Sequence, residues 1–134
     1  MHTTNYYNTF IEISDDCPVF ESEIPKERGG NKSVALLQFE MIAHNPYQFT
    51  SDEVLFNIHA LRKGLPPNEE NKQEFFSKGQ ACFRASPLGK RYGWGIHFDE
   101  NGKMALYNLD SPEYQNLKGD PNLAHVKAMR NKKL

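Results

Sequence analysis

Residues 92–99, Tyr92-Gly93-Trp94-Gly95-Ile96-His97-Phe98-Asp99, constrain the fold more than any other stretch. Side chains alternate across a strand, so Tyr92, Trp94, Ile96 and Phe98 share one face. Gly93, Gly95, His97 and Asp99 share the other. The first face demands a core. The second carries two glycines where a strand normally carries side chains, at a cost in packing and chain entropy.

The residues that follow set the partner. Asp99-Glu100-Asn101-Gly102 suits a type I turn with Gly102 in the left-handed region, the bulged three-residue hairpin. A return strand over Lys103–Leu109 then pairs Phe98 with Met104, His97 with Ala105, Ile96 with Leu106 and Gly95 with Tyr107. The competing register, a two-residue Asn101-Gly102 turn, pairs Glu100 with Lys103. The bulged register is preferred because Tyr107 then covers the bare backbone at Gly95.

The rest of the chain reads as helices framed by two short strands. Thr9–Ser14 alternates as a strand. Pro25–Lys32 is a polar loop. Ser33 caps a mostly apolar helix that runs to His44 and is ended by Pro46. Thr50-Ser51-Asp52-Glu53 is a capping box, and Val54, Ile58 and Leu61 give its helix an apolar stripe that stops at Gly64. Asn68 caps a third helix that buries Phe75 and Phe76 and ends near Gly79. Gln80–Ala85 reads as another strand. Ser111-Pro112 starts a short helix. From Asp120-Pro121 the tail reads as helical, with Lys127, Arg130, Lys132 and Lys133 near that helix's negative end. Helices followed by strands, without strict alternation, predict a single α+β domain over residues 1–134 with an antiparallel sheet. Its basic tail, 120–134, is expected to be mobile.

Composition narrows the function classes. Net charge is −1, which offers no field to recruit nucleic acid. No apolar run approaches the roughly 18–20 residues that span a bilayer. Met1–Asn8 lacks the features of a signal peptide, so a cytoplasmic address is the default expectation. Histidines 2, 44, 59, 97 and 125 include no i, i+4 pair, and there is no Cys-x-x-Cys, so neither a metal nor a cofactor is expected. Arg28–Lys32 lacks the spacing of a phosphate loop. Asp15-Asp16 reads as a solvated turn.

Two readings of the glycine face remain. In one, a neighbouring element packs tightly against Gly93 and Gly95. In the other, the two glycines floor a shallow groove lined by His97, Tyr107 and Asp99, with Lys90 and Arg91 at its entrance. Such a groove suits a small anionic ligand, since arginine is a bidentate donor to anions. A catalytic alternative uses His97 as general base, oriented by Asp99, with Cys82 or Cys17 as nucleophile. Both cysteines are expected as free thiols.

The segments Asn45-Pro46-Tyr47-Gln48-Phe49-Thr50-Ser51-Asp52-Glu53-Val54-Leu55-Phe56 and Ser86-Pro87-Leu88-Gly89-Lys90-Arg91-Tyr92-Gly93-Trp94-Gly95-Ile96-His97 resemble the hallmarks of a small bacterial family of unknown function. The resemblance covers roughly residues 5–120. It implies a stand-alone soluble bacterial protein and brings no catalytic residues. The leading expectation is therefore a small-molecule or anion-binding domain. A hydrolase or transferase, and a protein-interaction module, are the alternatives.

Overall fold

The hairpin forms in the bulged register. In the computed structural model, which describes residues 2–132, β2 (Trp94–Phe98) pairs antiparallel with β3 (Met104–Asn108). Phe98 lies opposite Met104, His97 opposite Ala105 and Gly95 opposite Tyr107. Gly102 adopts φ 78°, and its N–H donates to Asp99 O at 3.0 Å. The Asp99 carboxylate accepts from the amides of Asn101 and Lys103, both at 2.9 Å, which closes the turn.

Around this hairpin runs a four-stranded sheet ordered β3-β2-β1-β4. β1 (Thr9–Glu12) is antiparallel to β2, with Phe10 opposite His97. β4 (Ala124–Lys127) is parallel to β1, with Phe10 also opposite His125. The helices are α1 (Val34–Ala43), α2 (Ser51–Lys63), α3 (Glu69–Phe76), the single turn α4 (Pro87–Lys90) and α5 (Pro112–Lys118). None of the described helices is long and apolar enough to cross a membrane. Ile11, Trp94, Ile96, Phe98 and Met104 pack with Phe39 and Ile42 of α1 and with Val54 and Ile58 of α2. Full burial of such a side chain stabilises by about 1.5–3 kcal/mol, so this layer dominates the fold's stability.

The expected caps form. Ser33 accepts from Leu36 N, Asn68 from Asn71 N, and Ser111 from Tyr114 N. Thr50 and Glu53 make the reciprocal capping box, and Gly64 ends α2 in the left-handed region. Asp52 does more than favour the helix dipole. Its buried carboxylate accepts from Thr3 Oγ1, Thr4 N and Thr4 Oγ1, each at 2.7 Å. The start of α2 therefore holds the chain's N-terminal segment.

Three expectations are corrected. Leu61 is not on the buried stripe of α2 but 68% exposed. The helix uses a second face instead, on which Phe56 and Ala60 pack against Phe76 of α3. Gln80–Ala85 forms no strand. A 3-10 turn spans Phe83–Ala85 and drives Phe83 into the core. The outer edge of β3 is taken by residues 47–50: Tyr47 N–H donates to Met104 O and Met104 N–H donates to Phe49 O. Finally, the tail is strand β4 rather than a helix, because the open edge of β1 supplies a complete ladder. Its basic residues answer the Asp15-Asp16 turn: Lys127 Nζ lies 2.7 Å and Arg130 Nη1 3.7 Å from Asp15. Asp16 accepts from Ser14 Oγ and from the amides of Asn131 and Lys132, which hold its carboxyl well below the usual range. Lys133 lies outside the described residues.

Candidate functional site

The expected groove above Gly93 and Gly95 is filled. A Cβ at Gly95 would lie 2.6 Å from Phe10 Cζ and 2.6 Å from Tyr114 Cε2. Phe10 and Tyr114 meet edge to face at 5.0 Å, and the Tyr114 hydroxyl accepts from Ile13 N–H. A Cβ at Gly93 would lie 3.0 Å from Val19 Cγ2, and Gly93 sits at φ 78°. The glycines allow close approach of α5 and of the loop after β1. They do not floor a ligand site.

The residues grouped by that groove separate accordingly. Arg91 is exposed at the C-cap of α4, where its Nε donates to Asn131 Oδ1 at 3.3 Å. The Lys90 carbonyl accepts from Asn131 Nδ2. The hollows that Arg91 lines include neither His97 nor Tyr107. Strand rise alone puts Trp94 and His97 about 10 Å apart along β2, and Arg91 precedes both. Asp99 is spent on the hairpin turn.

His97 and Tyr107 do come together, through a residue the sequence reading passed over. Tyr47 Oη lies 2.8 Å from His97 Nδ1 and 2.6 Å from Tyr107 Oη. The Tyr47 backbone is held on β3 at φ 59°, unfavourable for a bulky side chain. Burial lowers the pKa of the half-buried His97, against an opposing pull from Asp99 and Asp120. Burial, then the bond to Tyr107, pushes the Tyr47 hydroxyl well above its ordinary value. His97 is therefore an imidazole held by Tyr47, with its charged form disfavoured by burial. The Asn45-Pro46-Tyr47 turn was the available signal.

Neither cysteine is placed to serve His97. Cys82 Sγ lies 3.2 Å from Tyr6 Oη, and burial followed by this bond pushes that phenol up to about 12. Tyr6 packs on Phe98, whose face of the sheet is opposite that of His97. Cys17 sits in the turn after β1, its N–H donating to Ser14 O. Both thiols are free.

Cys82 instead borders a cleft of about 360 Å³ between α1, α2, α3 and residues 80–87. Leu55, Ile58, Phe75 and Phe83 supply apolar walls. His59 stacks on Phe75 with centroids 4.4 Å apart, and Gln80 Nε2 donates to Phe75 O at 2.8 Å. Leu55, His59 and Arg62 share one face of α2 at i, i+4, i+7, a spacing legible in the sequence. At the base of the cleft, Gln38 Oε1 accepts from Ser86 Oγ at 2.6 Å, while Ser86 Oγ accepts from Leu88 N–H. Among the described residues, no group of three or more His, Cys, Asp or Glu is arranged to hold a metal ion.

The profile of a family described as a family of unknown function (DUF6157) matches residues 1–134. The chain belongs to DUF6157. The match includes the tail beyond residue 120, which the two motifs do not reach. No curated protein and no solved structure matches the chain.

Proposed function

We propose that this DUF6157 chain is a small-molecule-binding domain, and that its site is the cleft between α1, α2, α3 and residues 80–87. The observation that carries the reading is the cleft's composition. It is a concave, mostly apolar space of about 360 Å³ with a few convergent polar groups. That size and lining are typical of ligand sites, which run from about 300 to 1,000 Å³. It replaces the filled glycine face as the place where a ligand fits.

The test is a thermal-shift screen of small organic compounds against wild type and Ala81→Trp. Ala81 is an exposed wall position, so a large side chain there plugs the mouth without touching the core. Compounds that bind in the cleft raise the Tm of wild type alone, in proportion to RT ln(1 + [L]/Kd). Equal shifts in both proteins would place binding elsewhere and overturn the reading.

A second reading, a hydrolase or transferase with His97 as general base, is favoured by the Tyr47 hydrogen bonds. If Nδ1–H donates to Tyr47 Oη and Tyr47 O–H donates to Tyr107, the His97 Nε2 lone pair is free to take a proton. Activated-ester hydrolysis by wild type and His97→Gln is the check. Equal rates remove His97 from any such chemistry.

A further inference from the structure

We infer that the cleft selects organic anions: molecules with an apolar body, a hydrogen-bond acceptor for Gln38 at the base, and a carboxylate or similar group beside Arg62. This inference rests on the cleft being the binding site and names the class of ligand it takes.

The base of the cleft carries an unused donor. Gln38 is only 5% exposed. Its Oε1 is occupied by Ser86 Oγ at 2.6 Å. Oε1 is an amide oxygen and can only accept, so the Ser86 hydroxyl donates to it while accepting from Leu88 N–H. The Gln38 Nε2 amide then has no protein partner among the described residues. Yet no fully enclosed side-chain nitrogen or oxygen among those residues lacks a partner. The Nε2 group is therefore not sealed in the core but meets open space, and the space that Gln38 lines is the cleft. A nearly buried N–H₂ group bordering a mostly apolar space favours an acceptor, because leaving it unpaired once a ligand excludes water costs about 1–3 kcal/mol.

The charge pattern gives the second half. Among the described residues, no Asp or Glu lines the cleft, although the chain has 17 of them against 16 Lys and Arg. Arg62 does line it, at the exposed end of α2, and makes no ion pair among the described residues. His59 stands one turn before it on the same helix face. A cation entering here meets a guanidinium and no carboxylate. An anion meets a donor fork that matches a carboxylate in two parallel hydrogen bonds. The cleft, at about 360 Å³, lies at the small end of ligand sites, which suits a body of one ring and a short chain.

The experiment compares three probes of one shape, 3-phenylpropanoate, 3-phenylpropanamide and 3-phenylpropylamine, by amide NMR titration of the 134-residue chain. The expected order is carboxylate tightest, amide at least about fivefold weaker, and amine without saturable binding. Arg62→Ala should weaken the carboxylate about fivefold, to near the amide, and leave the amide unchanged. Gln38→Met should weaken both the carboxylate and the amide. If amide and carboxylate bind wild type equally at the cleft, or Arg62→Ala leaves the carboxylate unaffected, the anion inference falls while the cleft reading stands. If no probe perturbs amides of residues 55–62 and 80–86, both fall together. Arg62 is exposed, so its replacement does not threaten folding, and the amine arm needs no variant at all.

Discussion

Gly95→Ala separates a filled glycine face from an open one by the sign of a stability change. On an open strand face, replacing glycine by alanine stabilises by about 0.4–1 kcal/mol, because the unfolded chain loses freedom. Here the new methyl carbon would lie 2.6 Å from Phe10 Cζ and 2.6 Å from Tyr114 Cε2. Neither ring can swing aside cheaply. Phe10 is 0% and Tyr114 2% exposed, and the Tyr114 hydroxyl is tied to Ile13 N–H at 3.0 Å. Overpacking of this kind costs about 1–3 kcal/mol. Set against the entropy gain, the net is about 1.5 kcal/mol of destabilisation. An unfolding entropy of about 2.1 cal/mol/K per residue over the whole chain makes each kcal/mol worth about 3.5 °C, so Tm should fall by about 5 °C. Calorimetry or circular dichroism reads this directly. Gly79→Ala, where nothing lies within 4 Å, is the control and should leave Tm unchanged or slightly raised. In a Tyr114→Ala background, the cost of Gly95→Ala should shrink, since one of the two obstructing rings is gone. A Gly95→Ala protein as stable as wild type, or more so, would refute the close approach of α5 and reopen the groove.

Asp52→Ala leaves Thr4 N–H and two threonine hydroxyls without their shared acceptor, and should cost at least about 2 kcal/mol, or about 7 °C in Tm, with residues 2–5 losing amide protection. Unchanged protection there would show that Asp52 is not what holds the N-terminal segment. His97 has its folded-state pKa lowered by burial, so its ring should titrate by NMR with a midpoint below about 6.5. In the window between the two pKa values the unfolded chain binds the proton more readily. Stability should therefore be full above about pH 6.5 and decline as pH falls toward the folded-state value. His97→Gln should flatten that part of the Tm–pH curve, and a wild-type midpoint at or above 6.5 would contradict the desolvated ring.

Most of the architecture was legible because its signals are local. The Asp99–Gly102 turn and the period-2 pattern set the β2–β3 register, and capping residues at 33, 50, 68 and 111 each opened the helix they announced. What was not legible depends on contacts distant in sequence. The tail has helix-compatible residues, but β4 forms because β1 offers it an edge more than a hundred residues upstream. Phe83 belongs to an apparent strand until the outer edge of β3 proves to be occupied by residues 47–50. The packing on the glycine face was hidden for the same reason. Gly93 and Gly95 mark close approach, and only the fold reveals that Phe10 and Tyr114 make it. Arg91 and His97 sit six residues apart in one conspicuous motif, yet the strand carries them to different places. Gln38 lay inside an apolar helix, and its free amide becomes visible only once Ser86 is seen to occupy its carbonyl.

The central claim is that ligands enter between α2 and residues 80–87. Its most direct test is the map of amide shift changes when 3-phenylpropanoate is titrated into wild-type protein. The account predicts saturable changes confined to Leu55–Arg62, Gln80–Ser86, Phe75, Val34 and Gln38. Changes centred instead on Arg91 or on His97 and Tyr107, or none at saturating probe, would contradict it.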